Sequence, residues 1–173
     1  MIRKNTIRHA VALTIILAFA ITALAQTPAI TLRTADGGSF NLSDKRGRVV
    51  VLAFGATWVP LSAKELPALQ KLADRYAGRK VDIYWVSINA AKPGARNAAT
   101  DDELKAFATK NGLRLPVLRD PDQTAFRALG VANLPTLIII DREGKVAHKH
   151  VGFDPDQADG YGEVSQELDK LLK

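Results

Sequence analysis

The chain contains no cysteine. It can therefore close no disulfide, offers no thiol for a lipid anchor, and holds no thiolate, the reactive species in disulfide exchange. Histidine is scarce: of three, only His148 and His150 lie beyond the amino terminus. No Gly-x-Ser-x-Gly sequence presents a serine nucleophile. Charge of one sign is also in short supply. The formal net charge is +6, and without Arg3, Lys4 and Arg8 the balance is 21 basic against 18 acidic residues, too mild for a nucleic-acid-binding surface. Beyond the first 25 residues there is no internal repeat and no low-complexity segment.

What the amino terminus does hold is a secretory signal pattern: Arg3, Lys4 and Arg8, an apolar run over residues 10–24, and small residues at Ala23 and Ala25. Residues 10–25 number 16 and include Thr14 and Thr22, short of the roughly 20 apolar residues of a spanning helix. The expectation is a signal peptide over 1–25, cleaved before Gln26, and a periplasmic or otherwise exported product. Membrane contact would then come only through a signal segment left in place. Residues 26–173 are 148 in number, enough for one domain with a substantial core. In an oxidising compartment the lack of cysteine is more informative, because exported proteins commonly use disulfides there.

Alternating apolar residues around Asp36-Gly37-Gly38 predict an N-terminal β-hairpin with strands over 29–33 and 39–42. The run Val49-Val50-Val51-Leu52-Ala53-Phe54 predicts a central strand buried on both faces. Pro60, with its fixed φ and missing N–H, suits a first helical turn. It opens a helix over 60–76 with Leu66, Leu69, Leu72, Ala73 and Tyr76 on one face. A strand over 81–88 follows, parallel to the first because a helix-length crossover joins them. A polar loop over 90–100 leads to a helix capped by Thr100 or Asp101, carrying Leu104, Phe107 and Ala108 and ending at Gly112. Next come an extended piece at 115–118, a short helix over 122–129 and a strand over 137–140. The turn Asp141-Arg142-Glu143-Gly144 returns the chain through 145–151 to a last helix over 162–172.

Two parallel strands joined through a helix, then a hairpin and a covering helix, is the order of the thioredoxin fold. That fold is α/β, a mixed parallel and antiparallel sheet flanked by helices, here with an N-terminal β-hairpin extension. The segment V-L-A-F-G-A-T-W-V-P-L-S-A-K-E-L-P-A-L at 51–69 resembles the active-site segment of TlpA-like periplasmic thioredoxins, related to peroxiredoxins of the AhpC/TSA type. Gly130-Val131-Ala132-Asn133-Leu134-Pro135-Thr136 is similar to that family's cis-proline loop, and Asp141-Arg142-Glu143-Gly144-Lys145-Val146 to its hairpin. The resemblance spans nearly all of 26–173. It implies thiol–disulfide oxidoreductase chemistry at a Trp-Cys-x-x-Cys motif, yet Val59 and Ser62 stand at the two cysteine positions.

A cysteine at position 59 would sit at a helix amino terminus, where the dipole and free N–H groups favour the thiolate. Val59 has nothing to ionise, and at Ser62 an alcohol replaces the resolving sulfur. Direct thiol–disulfide or peroxidase turnover is thereby excluded for this sequence. Ser62 reads as a first-turn residue whose hydroxyl meets a backbone group. His148 and His150, two apart on the predicted last strand, share one face and would suit copper or nickel. Two ligands are too few for a closed site, and no third stands at recognisable spacing. The expectation is a solvated pair, with no metal and no cofactor.

The resemblance also implies that Leu134-Pro135 is a cis bond facing the motif, where the preceding backbone helps to hold an extended peptide. The expected binding surface comprises Trp58, Val59, Pro60, Leu61, Ser62, Leu134 and Pro135, with Trp58 as an aromatic anchor. The expected function is a redox-inactive module for a protein or extended peptide of the cell envelope. Two alternatives stay open: an oxidoreductase or antioxidant role that borrows a partner's thiol, and a structural part of an envelope complex.

Overall fold

All seven residues of strand β3 (Val49–Gly55) are buried, and the sheet is built outward from it. The computed structural model describes residues 29–157 and 160–173; the signal segment read over 1–25 lies outside them. Helix α1 (Pro60–Arg75) leads from β3 to β4 (Val81–Ser87), which pairs with β3 in parallel from Val49↔Val81 to Gly55↔Ser87. On its other side β3 pairs antiparallel with β6 (Thr136–Ile140), from Phe54↔Thr136 to Val50↔Ile140. Strand β7 (Val146–Val151) forms the edge beside β6. The predicted hairpin is present as β1 (Thr31–Thr34) and β2 (Ser39–Asn41). It docks on β5 (Val117–Arg119) through Arg33↔Arg119 and Thr34↔Leu118, giving the seven-stranded order β2-β1-β5-β4-β3-β6-β7.

The pleat divides β3 between two cores. Val49, Val51 and Ala53 face α1, α2 (Asp101–Lys110) and α4 (Gly162–Leu171), meeting Leu66, Leu69, Leu104, Val164 and Leu168. Val50, Leu52 and Phe54 face the other way, toward Phe40 and Leu42 and toward Ala125 of α3 (Thr124–Ala128). Thr100 caps α2 in a reciprocal box with Glu103, which satisfies two otherwise unpaired donors.

Several boundaries differ from the expectation for local reasons. Leu42 opens a short 3-10 turn (Leu42–Lys45) instead of ending β2. Strand β5 begins at Val117, after Pro116, which has no N–H to give to a ladder. Helix α3 begins at Thr124 because the Asp120 carboxylate accepts the N–H groups of Ala125 (3.2 Å) and Phe126 (2.7 Å). Elsewhere the bounds fall within a few residues of those read from periodicity.

Gly55, at the end of β3, is a point where backbone and buried side chains approach closely. A Cβ there would lie 2.5 Å from Trp85 Nε1 and 3.0 Å from Ser62 Oγ. Trp85 is fully buried and stacked on Phe107 with ring centroids 5.6 Å apart, so it has no room to retreat. Gly55→Ala is expected to destabilise the fold by about 1–3 kcal/mol through overpacking, measurable as a lower urea midpoint with an unchanged slope.

Candidate functional site

Strand β3 delivers residues 56–59 to the start of α1, and the Phe54↔Thr136 pair places residue 135 beside that turn. Leu134-Pro135 is cis. Trp58 is 40% exposed, the most open large aromatic among the described residues. Pro60 is exposed, and Val59, Leu61 and Leu134 are half-buried. Ser62 and Pro135 are buried, so they shape the surface from beneath and do not themselves present a face to a partner. Val59 and Leu134 both pack on the core that holds Phe54 and Ala56. The result is a shallow apolar surface around Trp58. A cavity of about 510 Å³, lined by Lys64, Ala68, Phe153 and Tyr161 among others, lies away from it.

The side chains of Ser62 and Asn89 help to hold this loop. The Ser62 hydroxyl accepts the Ala56 N–H at 3.2 Å, tying the first turn of α1 back to the end of β3. Asn89, just past β4, takes the Thr57 N–H on Oδ1 (3.1 Å) and donates through Nδ2 to Thr57 Oγ1 (2.7 Å). Its position is fixed in turn by Ser87, whose hydroxyl donates to Asn89 Oδ1 at 2.9 Å. The first turn of α1 contains no acidic residue, and no side chain caps it. Its positive end therefore faces a valine, which gains nothing from the dipole.

Helix α1 also carries a buried titratable group. Glu65, one turn into α1 from Ser62, is fully buried. Its Oε1 accepts the Tyr161 hydroxyl at 2.6 Å, and its Oε2 has no partner. Burial pushes the carboxyl up to about 8, with the Tyr161 bond pulling the other way. The Tyr161 hydroxyl is raised well above its ordinary value, by burial first and by the Glu65 charge next. Glu65 can hold or release a proton near neutrality, but no thiol stands nearby to exchange one with it.

The histidine pair departs from its expected solvated state. His148 and His150 are about one-fifth exposed, and Glu163, from the first turn of α4, approaches both: its Oε1 lies 3.7 Å from His148 Nε2 and its Oε2 3.4 Å from His150 Nδ1. The third potential ligand comes from a different element, which spacing along one strand could not show. Glu65 and Asn89 were likewise missed. A glutamate three residues after the first-turn Ser62 was the available signal, but only the docking of Tyr161 onto it shows that it is buried.

The profile of the AhpC/TSA family matches residues 24–149. The chain belongs to the AhpC/TSA family. Within it, the chain is similar to the thiol-disulfide oxidoreductase ResA of Bacillus thuringiensis (strain Al Hakam), 31% identical over 137 residues, or 79% of this chain and 74% of the relative. It is also similar to the thioredoxin-like protein YneN of Bacillus subtilis (strain 168), 32% identical over 128 residues, 73% and 70% of the two chains. A solved structure from Chlorobium tepidum, provisionally assigned as the thiol:disulfide interchange protein DsbE, matches with a TM-score of 0.70 at 31% identity, over 86% of this chain and 96% of that one. The exposed lipoprotein thioredoxin Etrx1 of Streptococcus pneumoniae matches with a TM-score of 0.65 at 29% identity, over 83% and 99%. These likenesses place the chain among the TlpA-like thioredoxins of the AhpC/TSA family, while its own sequence has no cysteine.

Glu65 gives the protein a pH signature. At low pH the carboxyl is protonated in folded and unfolded chains alike. Between an unfolded value of about 4.5 and the folded value of about 8, only the folded chain keeps the proton. Stability should therefore fall as pH rises through that window, by roughly 1 kcal/mol per pH unit, and level off above it. Chemical denaturation at several pH values should show this slope in the unaltered protein and a flatter profile in Glu65→Gln, with the variant the more stable of the two near pH 8.

Proposed function

We propose that this chain is an exported, redox-inactive thioredoxin-like module that binds an extended peptide or protein through the surface formed by Trp58, Val59, Pro60, Leu61 and Leu134, with Pro135 shaping it from beneath. The observation that carries the reading is the combination at one place of a 40% exposed Trp58 with Val59 and Ser62 at the two thiol positions. Disulfide exchange passes through a thiolate and a mixed disulfide. A valine side chain has no ionisable group, and the Ser62 hydroxyl is buried and engaged with the Ala56 N–H. What the turn still offers is apolar area with an aromatic centre, the kind of feature on which binding energy concentrates.

Export is supported by the charged and then apolar amino terminus, and by the likeness to a pneumococcal protein described as an exposed lipoprotein. The names of the relatives favour a second reading, a thiol–disulfide role completed by a thiol from elsewhere. The two readings separate experimentally.

The purified protein should show no insulin reduction and no peroxide consumption, with or without added dithiol beyond the reagent's own background. In-cell crosslinking should capture an envelope partner whose binding is indifferent to reductant. Trp58→Ala should weaken that binding by about 2 kcal/mol, roughly thirtyfold. Turnover by the purified chain, or binding that survives loss of Trp58 unchanged, would contradict the reading.

A further inference from the structure

His148 and His150 stand opposite Ile139 and Leu137 on edge strand β7, and both point to the face crossed by the start of α4. One ligand atom from each of His148, His150 and Glu163 lies within 4.8 Å of the other two. The two imidazole–carboxylate separations are 3.7 and 3.4 Å. An ion held at about 2.0–2.2 Å keeps tetrahedral ligands roughly 3.3–3.6 Å apart. Both separations are thus already close to those of a coordination shell, and side-chain rotations on the order of 1 Å would complete it. His148 Nε2 is buried and makes no hydrogen bond, an orphaned nitrogen aimed at the Glu163 carboxylate. The His150 ring is held edge-on against Tyr161, with centroids 5.9 Å apart, and Tyr161 is in turn fixed by Glu65 at 2.6 Å.

We propose that His148, His150 and Glu163 form a binding site for a divalent first-row transition-metal ion, Cu²⁺ in preference to Zn²⁺, with water completing its coordination. Two imidazoles and one carboxylate suit these borderline ions and follow the usual order of affinity. Mg²⁺ and Ca²⁺, which favour oxygen ligands throughout, are poorly served. Three protein ligands leave a coordination position open, and the partial exposure of all three side chains gives water access to it. The ion would tie edge strand β7 to α4. The inference is independent of what the Trp58 surface binds.

The test uses tag-free protein titrated with CuCl₂, ZnCl₂ and MgCl₂ by calorimetry, with the Cu²⁺ form examined by electron paramagnetic resonance. One Cu²⁺ per chain with hyperfine coupling to two imidazole nitrogens, weaker Zn²⁺ binding and a higher melting temperature with metal are expected. Glu163→Gln, at an exposed position, should keep the fold and weaken binding by about tenfold or more; His148→Asn with His150→Asn should abolish it. No saturable binding to the unaltered protein, or an unchanged affinity in the double histidine variant, would overturn the proposal.

Discussion

Gly55 brings the sheet and the candidate site together. The last position of β3 lies so close to the Trp85 indole and the Ser62 hydroxyl that a single added carbon would collide with the indole and crowd the hydroxyl. Because it is bare, the chain leaves the sheet directly into the turn that presents Trp58, and the Ser62 hydroxyl can reach the Ala56 N–H. Position 62 suits a small polar side chain, which a serine supplies as well as a thiol would. The substitution at 62 therefore removes the chemistry of sulfur while keeping the contact that holds the turn. Val59 acts differently: at an uncapped helix start it adds apolar surface beside Trp58 and packs toward the core of Phe54 and Ala56.

Much of this frame was legible in the sequence because it depends on local signals. Six apolar residues from Val49 announced a strand buried on both sides, Pro60 marked where α1 begins, and Asp141-Arg142-Glu143-Gly144 marked the hairpin between β6 and β7. The likeness of 51–69 and 130–136 to a known family pointed to the fold and to the turn at the start of α1 as the place to look. What stayed hidden depends on contacts between residues far apart in the chain. The hairpin was readable, but its docking on β5 was not. No local signal marks Asn89, which the end of β4 carries to Thr57. No local signal marks Glu65 as buried; its burial depends on Tyr161, 96 positions away, whose hydroxyl it accepts. The expected site residues also proved unequal: Ser62 and Pro135 lie below the surface that Trp58 and Pro60 present.

The buried carboxyl and the histidine cluster meet at Tyr161, whose hydroxyl serves Glu65 and whose ring serves His150. The start of α4 thus organises two polar sites on the face of the sheet that carries α1. Neither needs a thiol. This chain, which has no cysteine, thus carries a half-exposed apolar turn around Trp58, a buried carboxyl at Glu65 and a cluster of two imidazoles and a carboxylate at the sheet edge.

The central claim is that the frame around the motif is intact and that only the sulfurs were exchanged. It is tested most directly by introducing both thiols together, Val59→Cys with Ser62→Cys, and measuring insulin reduction by the double variant beside the unaltered protein. The account predicts that the variant forms a reversible disulfide and gains turnover that the unaltered chain lacks. A variant that folds and forms the disulfide but fails to turn over would contradict it, because the surrounding surface would then have diverged from the family along with the two residues.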